Sequence, residues 1–134
     1  MRPVALTVAV AVSLLTGCGD ATGPEAIAGN YTLRSINGQD LPFIIVQVLA
    51  DKIEVTAGSV RINSDNTFSS STTLAITETE GGTTTSETGT TTGTYTLNGT
   101  AITFTSEGET STGSITGNTL TVIWDEGLTL VYQK

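Results

Sequence analysis

The chain has 134 residues, of which 13 are acidic, 5 are basic and none is histidine, giving a formal net charge of -8. This length suits one domain, and the acidic balance argues against nucleic-acid binding because it repels phosphate backbones. The lack of histidine excludes imidazole bases and imidazole metal ligands, and the single cysteine excludes an internal disulfide.

The chain begins with a short apolar segment. Arg2 precedes twelve mostly apolar residues, 4–15. These are too few to span a hydrocarbon core, which needs about 20 residues. The length is typical of a signal peptide, and a buried apolar helix is the alternative. Residues 1–17 are therefore predicted to be a signal-peptide helix that precedes the folded domain.

A short motif follows the apolar segment. Leu15-Thr16-Gly17-Cys18 resembles the lipobox of bacterial lipoproteins. The resemblance implies cleavage before Cys18 and acylation of its sulfur and amine with chains such as palmitate, and two or three acyl chains anchor a protein stably. It also implies the outer membrane, because Gly19 stands where Asp would imply inner-membrane retention. The implied partner is the membrane, and the expected location is extracytoplasmic.

Residues 18–28 join this motif to the rest of the chain. They contain Gly23-Pro24 and show no apolar periodicity, which predicts a flexible linker after the lipidated cysteine. Residues 29–134 then form a single folded domain. Threonine favours strands and glycine marks turns and bulges, so the abundance of both residues in this part predicts an all-β fold.

The first strands after the linker are irregular. Tyr31 and Leu33 alternate with polar residues, and Asn37-Gly38 is a turn sequence that ends this strand. Residues 43–49 form an apolar run that only Gln47 interrupts. Such a run is consistent with a strand or with a short helix.

The next strand changes phase along its length. Ile53 and Val55 are out of phase with Val60 and Ile62. Gly58 lies between the two pairs and suggests a bulge or a bend.

Turn sequences divide the remaining chain into hairpins. The predicted connections are Ser64-Asp65-Asn66, Gly81-Gly82, Asn98-Gly99, Glu107-Gly108, Gly117-Asn118 and Asp125-Glu126-Gly127. Two-residue and three-residue connections at these places set the register, and a one-residue slip would move a whole strand to the other face. In this register Phe68 and Ile102 each lie opposite Tyr95, and one apolar face continues between Val60 and Tyr132.

The strands together form an antiparallel up-and-down meander of eight or nine strands. Closure into a small barrel would remove its two exposed edges, and an open sheet or a sandwich is the alternative. About eight strands enclose a space that side chains fill or that holds one small ligand. We expect such a barrel, as a monomer.

Several turn motifs are similar to those of bacterial lipocalin-like lipoprotein domains. The similarity lies in residues 29–42 (GNYTLRSINGQDLP), 62–68 (INSDNTF), 93–99 (GTYTLNG) and 113–120 (GSITGNTL). It covers about residues 29–133 of the chain. The resemblance implies a small lipocalin-like, calycin-type barrel on a lipid tether, in a group whose members mostly have no assigned activity.

No residue pattern predicts catalysis. The sequence lacks a Ser-His-Asp set, a phosphate-binding glycine loop and zinc-ligand spacing, so we expect no enzymatic activity, no cofactor and no metal. Carboxylate pairs at Glu78/Glu80, Glu107/Glu109 and Asp125/Glu126 fall at predicted turns, where they are solvated. A weak calcium site at one turn is the minor alternative, since oxygen ligands alone can bind this ion.

A threonine-rich hairpin, residues 77–94, is polar on both faces near its tip. We interpret it as a solvated extension of two strands. The alternative is a projecting edge that pairs with another chain or with a glycan.

Five aromatic residues share the predicted inner face: Phe68, Tyr95, Phe104, Trp124 and Tyr132. Core packing is one interpretation, and the lining of an apolar ligand pocket is the other. The sequence therefore predicts a lipid-anchored, non-catalytic barrel that binds a small apolar ligand. The alternative is an envelope interaction protein, or an inhibitor-type protein, with a solid core and no small ligand.

Overall fold

The computed structural model describes residues 23–124 and 127–134, which form one short helix and ten strands. The elements in chain order are α1 Pro24–Ile27, β1 Gly29–Ile36, β2 Gln39–Asp40, β3 Phe43–Val48, β4 Asp51–Ile62, β5 Thr67–Glu78, β6 Thr83–Asn98, β7 Ala101–Ser106, β8 Glu109–Thr116, β9 Thr119–Ile123 and β10 Thr129–Gln133. The expected signal-peptide helix, Cys18 and the loop residues Asp125 and Glu126 lie outside the described residues.

Eight of these strands close into a barrel. Each of the strands β4 to β10 pairs antiparallel with its neighbour in the chain, and β1 pairs with both β10 and β4. The predicted all-β antiparallel meander and its closure are therefore confirmed. The short strands β2 and β3 lie in the connection between β1 and β4, and they raise the number of strands to ten.

Most of the predicted hairpin registers are confirmed. The observed cross-strand pairs that match the prediction are Ile62 with Phe68, Phe104 with Ser111, Ile115 with Leu120, Val122 with Leu130, and Leu120 with Tyr132. Turn residues with positive φ permit these registers, for example Gly117 at 58° and Gly127 at 76°.

Two predicted registers are wrong by two residues. Tyr95 pairs with Phe104 and not with Ile102, because the turn consists of Gly99-Thr100 with Gly99 at a φ of 64°; a glycine at the first turn position suits this kind of tight hairpin. Phe68 pairs with Gly93 and not with Tyr95, because four residues, 79–82, connect β5 and β6. A shift of two residues keeps every side chain on its predicted face.

A bulge divides β4 into two halves. Val55 pairs with Leu74 while Ala57 pairs with Thr73, so Thr56 has no partner in β5. This extra residue accounts for the predicted change of phase, and it lies two positions before Gly58. Gly58 itself faces the core, where an added Cβ atom would lie 2.9 Å from Cδ2 of Leu33.

The buried apolar side chains form one cluster inside the barrel. Its members are Ile27, Tyr31, Leu33, Ile36, Val55, Val60, Ile62, Phe68, Tyr95, Ile102, Phe104, Ile115, Leu120, Val122, Leu130 and Tyr132. Burial of such surface contributes about 25 cal/mol per Å² to stability. The core thus follows the alternation of apolar and polar residues that the turns were predicted to align.

The end of the predicted linker is part of the folded unit. Residues 24–27 form α1, where Ile27 is buried and its carbonyl accepts a hydrogen bond of 2.7 Å from the Tyr31 hydroxyl. This contact holds the helix against the barrel. The ordered unit therefore begins before Gly29, where we had expected the linker to end.

Four strands continue beyond the barrel as a projecting sheet, made of β3 and residues 51–57, 72–78 and 83–89 of the next three strands. Asp51 accepts hydrogen bonds from the backbone N–H and the hydroxyl of Thr79, which tie the connection between β5 and β6 to β4. The same bonds lower the pKa of the Asp51 carboxyl.

The apolar run at 43–49 consists of the edge strand β3 and the turn that follows it, and it is not a helix.

Candidate functional site

A cavity of about 420 Å³, open to solvent, lies in one end of the barrel. Its lining includes Ser106, Glu107 and Glu109 around the connection between β7 and β8. The other end of the barrel holds Gly29, at the start of β1, and Lys134, whose backbone N–H donates to Asn118 in the connection between β8 and β9. The cavity mouth and the N-terminus of the barrel are therefore at opposite ends.

The floor of the cavity is aromatic and aliphatic. Phe68 and Phe104 are in edge-to-face contact with their ring centroids 4.8 Å apart, a favoured arrangement for aromatic pairs. Tyr132, Val60 and Val122 complete this floor. All of these side chains are buried members of the core cluster, so the floor is the upper surface of the barrel core.

The rim of the cavity is polar. Its hydroxyl side chains belong to Ser70, Thr72, Thr90, Thr91, Ser106 and Ser111. Alternation places most of them on the inner face, for example Ser70 and Thr72 in line with Phe68 on β5. Small hydroxyl residues at inner positions leave space that larger apolar residues would fill. The cavity is thus a consequence of residue size along β5 to β8.

Gly93 makes room for the aromatic floor. It lies opposite Phe68, and an added Cβ atom would overlap the carbonyl oxygen of Thr105 and lie 2.9 Å from Cε1 of Phe68. Gly113 is equally restricted, since a Cβ atom there would overlap the carbonyl oxygen of Thr121. Only glycine allows the backbones to approach this closely.

The three buried tyrosines differ in their hydrogen bonds. The hydroxyl of Tyr31 donates to the carbonyl of Ile27 at 2.7 Å, and the hydroxyl of Tyr95 donates to the carbonyl of Asn63 at 2.6 Å. Tyr132 is 3% exposed and lines the cavity, but its hydroxyl has no hydrogen-bond partner among residues 23–124 and 127–134. In the same part of the chain every side-chain oxygen that is fully sealed from solvent has a partner. Tyr132 thus differs from the other two tyrosines in lining the cavity and in making no side-chain hydrogen bond within the described ranges.

Burial also affects the ionisation of these groups. Desolvation raises the pKa of Tyr132 to about 12. Desolvation, with a charge interaction from Tyr95, raises the pKa of Tyr31 as well. The Tyr132 hydroxyl is thus neutral at physiological pH and can donate or accept a hydrogen bond.

Four of the five predicted lining residues meet at the cavity. Phe68, Phe104, Trp124 and Tyr132 contribute to its wall, and Trp124 is only partly buried at the rim. Tyr95 does not line the cavity. It packs at the far side of Phe104, with the ring centroids 6.4 Å apart, and its hydroxyl is directed to Asn63.

The prediction missed the polar rim. Glu107 and Glu109 were predicted to be solvated at a turn, and both are exposed at the connection between β7 and β8. The prediction did not place them in the cavity lining, to which both belong. The alternation of β8 contained the necessary information, because Glu109 and Ser111 are in phase with the inward-facing Ile115.

The charged groups of the cavity are acidic. Among the residues that the structure describes, its lining contains two carboxylates, those of Glu107 and Glu109, and no lysine or arginine. Within residues 23–124 and 127–134 no group of three or more Cys, Asp or Glu side chains is placed to hold a metal ion. No helix in these two ranges has the length and apolar character needed to cross a membrane.

Comparison of the chain with protein-family models, with curated protein sequences and with solved structures finds no match. The fold and the geometry of the cavity are therefore the basis on which its function is inferred.

Proposed function

We propose that the protein is a lipid-anchored, non-catalytic binding protein of the bacterial cell envelope that holds a small, largely apolar ligand in the mouth of its barrel. The observation that carries the proposal is the cavity of about 420 Å³ with its aromatic floor. Ligand sites commonly measure about 300–1,000 Å³ and combine an apolar lining with a few polar groups. The floor of Phe68, Phe104 and Tyr132 and the hydroxyl rim fit this description.

The proposed anchor is compatible with access to the cavity. Residues 19–23 separate Cys18 from α1, and a chain of this length spans at most about 20 Å when fully extended. An acylated Cys18 would hold the barrel close to the membrane by the end that carries Gly29. The cavity mouth would then face away from the lipid.

Native mass spectrometry tests ligand binding. The acylated protein, extracted from its own host in detergent, should carry an added mass that corresponds to a small organic molecule. Ser111→Trp, which fills the cavity, should abolish the added mass, while Thr105→Trp on the exposed outer face of β7 should retain it. A ligand-free mass for the parent protein would contradict the proposal.

Membrane fractionation tests the anchor separately. Cys18→Ser removes the sulfur that the lipobox resemblance identifies as the acylation site. The variant should lose its association with the membrane fraction, because no other acyl attachment is proposed. Unchanged fractionation would refute lipidation at this residue without affecting the cavity.

The exposed edge of β3 favours a second candidate, an envelope interaction protein. Ile44, Val46 and Val48 are 44%, 47% and 63% exposed, and Leu49 in the adjoining turn is 92% exposed. An apolar edge strand can pair with an extended segment of another chain. A photo-crosslinker at position 48 should form one discrete adduct in intact cells, and a crosslinker at position 105 should not. Equal adducts at both positions would reject pairing at this edge.

A further inference from the structure

We propose that the cavity selects a small organic ammonium ion with an aromatic or aliphatic body. This inference rests on the proposed binding function and adds the charge of the ligand. Its elements are the two carboxylates of the rim, the aromatic wall and the hydroxyl of Tyr132.

Every charged side chain that lines the cavity in the described part of the chain is acidic. Glu107 lies in the connection between β7 and β8, Glu109 is the first residue of β8, and both border the mouth. None of the four basic residues of the described chain, Arg34, Lys52, Arg61 and Lys134, belongs to the cavity lining. Lys52 pairs with Glu54 at 3.2 Å on the projecting sheet, and Lys134 lies 5.7 Å from the ring centroid of Tyr31 at the closed end. A ligand with a carboxylate or phosphate group would thus meet repulsion and no counter-charge.

The aromatic wall adds to the attraction for a cation. Phe68, Phe104, Trp124 and Tyr132 all border the same space. The face of an aromatic ring carries negative potential, and ammonium groups bind to sets of such rings. An apolar body of the ligand would at the same time cover the floor and displace water from it.

The Tyr132 hydroxyl supplies a hydrogen-bonding position at the floor. The side chain is 3% exposed and its hydroxyl has no partner within the described residues, in contrast to the hydroxyls of Tyr31 and Tyr95. The hydroxyl oxygen can accept a hydrogen bond from a ligand in the cavity. An ammonium N–H can donate to the Tyr132 oxygen, so a primary amine satisfies this group and the rim carboxylates together.

Three ligands of similar size and different charge test the proposal. Phenethylammonium is the cation, 2-phenylethanol is the neutral analogue that retains a hydrogen-bonding group, and phenylacetate is the anion. Binding to the detergent-solubilised lipoprotein can be followed by the fluorescence of Trp124, the only tryptophan in the chain. Phenethylammonium should bind about tenfold more tightly than 2-phenylethanol at low ionic strength, and phenylacetate should bind most weakly. The advantage should decrease with added salt, because exposed charges are screened.

Substitution of the rim carboxylates tests whether they cause the preference for the cation. The double variant Glu107→Gln, Glu109→Gln should lose about three- to tenfold in affinity for phenethylammonium, the effect expected for two exposed ion pairs. Its affinity for 2-phenylethanol should not change. Glu25→Gln, in α1 at the closed end of the barrel, is the matched control and should leave all three affinities unchanged.

The outcomes separate this inference from the function on which it rests. Equal affinity for phenethylammonium and 2-phenylethanol, or a double variant without effect, would overturn cation selection and leave the cavity as a binding site. Binding of none of the three ligands would also overturn cation selection, and the added mass of the host-extracted protein would then decide whether the cavity is a binding site.

Discussion

Gly93→Ala tests how closely the strands around the cavity floor must approach. The added methyl group would overlap the carbonyl oxygen of Thr105 and lie 2.9 Å from Cε1 of Phe68. Neither neighbour can move easily. Thr105 pairs with Thr94 in the ladder between β6 and β7, and the Phe68 ring is in contact with Phe104.

The expected loss follows from these contacts. Overpacking a well-packed interior costs about 1–3 kcal/mol and sometimes more. The contact at Gly93 involves main-chain atoms, so we expect a loss in the free energy of unfolding of about 3 kcal/mol, at the upper end of this range. That is a large part of the total for a domain, which is about 5–15 kcal/mol.

Gly89→Ala is the matched control in the same strand and on the same face. A Cβ atom at Gly89 would have no neighbour within 4 Å. Glycine inside a strand destabilises the folded protein by about 0.5–1 kcal/mol relative to alanine. The Gly89→Ala variant should therefore be slightly more stable than the parent. Urea unfolding followed by far-UV circular dichroism measures both variants. Equal midpoints for Gly93→Ala and Gly89→Ala would refute the proposed close approach.

Three further predictions concern the aromatic residues. Tyr31→Phe and Tyr95→Phe should each lower the free energy of unfolding by about 1–3 kcal/mol, because each leaves a buried or partly buried carbonyl without its donor. Tyr132→Phe should cost less than about 0.5 kcal/mol, since no protein hydrogen bond among the described residues is lost. An equal cost for all three variants would contradict the hydrogen-bond assignment. The raised pKa of Tyr132, about 12 against an ordinary value of 10.0, means that the folded state keeps a proton which the unfolded state releases. Stability from this group is complete below pH 10 and decreases by up to about 2.5 kcal/mol as the pH rises to about 12; a pH titration of unfolding should show a shallower decrease for Tyr132→Phe, and identical profiles would count against it. Trp124→Ala should cost about 2 kcal/mol, roughly half the value for a fully buried tryptophan, because Trp124 is only partly buried at the rim; a cost above 4 kcal/mol in urea unfolding would place it in the core.

The inner and outer faces of the barrel could be predicted because side chains alternate along a strand, so a register shift of two residues leaves every side chain on its face. Tyr95 and Phe104 face inward in the predicted register and in the observed one, although the turn at Gly99 shifts the pairing by two residues. Turn chemistry could not exclude that shift, because a glycine suits the first or the second turn position. The bulge at Thr56 was indicated only by a change of phase, and its position depends on pairing with β5.

The cavity could be predicted only in part. The aromatic alternation identified Phe68, Phe104 and Tyr132, but threonine and serine occur on both faces of the strands, so their pattern does not show which of them face a space. The hydrogen bond of Tyr95 to Asn63 joins residues 32 positions apart. No local pattern distinguishes that satisfied hydroxyl from the one of Tyr132, because the difference arises from the closure of the barrel.

A crystal structure of the protein purified from its own host tests the central claim most directly. We predict electron density for a small organic molecule above Phe68 and Phe104, with one of its polar atoms within hydrogen-bond distance of the Tyr132 hydroxyl. A cavity that holds only water in the host-purified protein, or one closed by the side chains of its rim, would contradict the claim that the barrel mouth is a binding site.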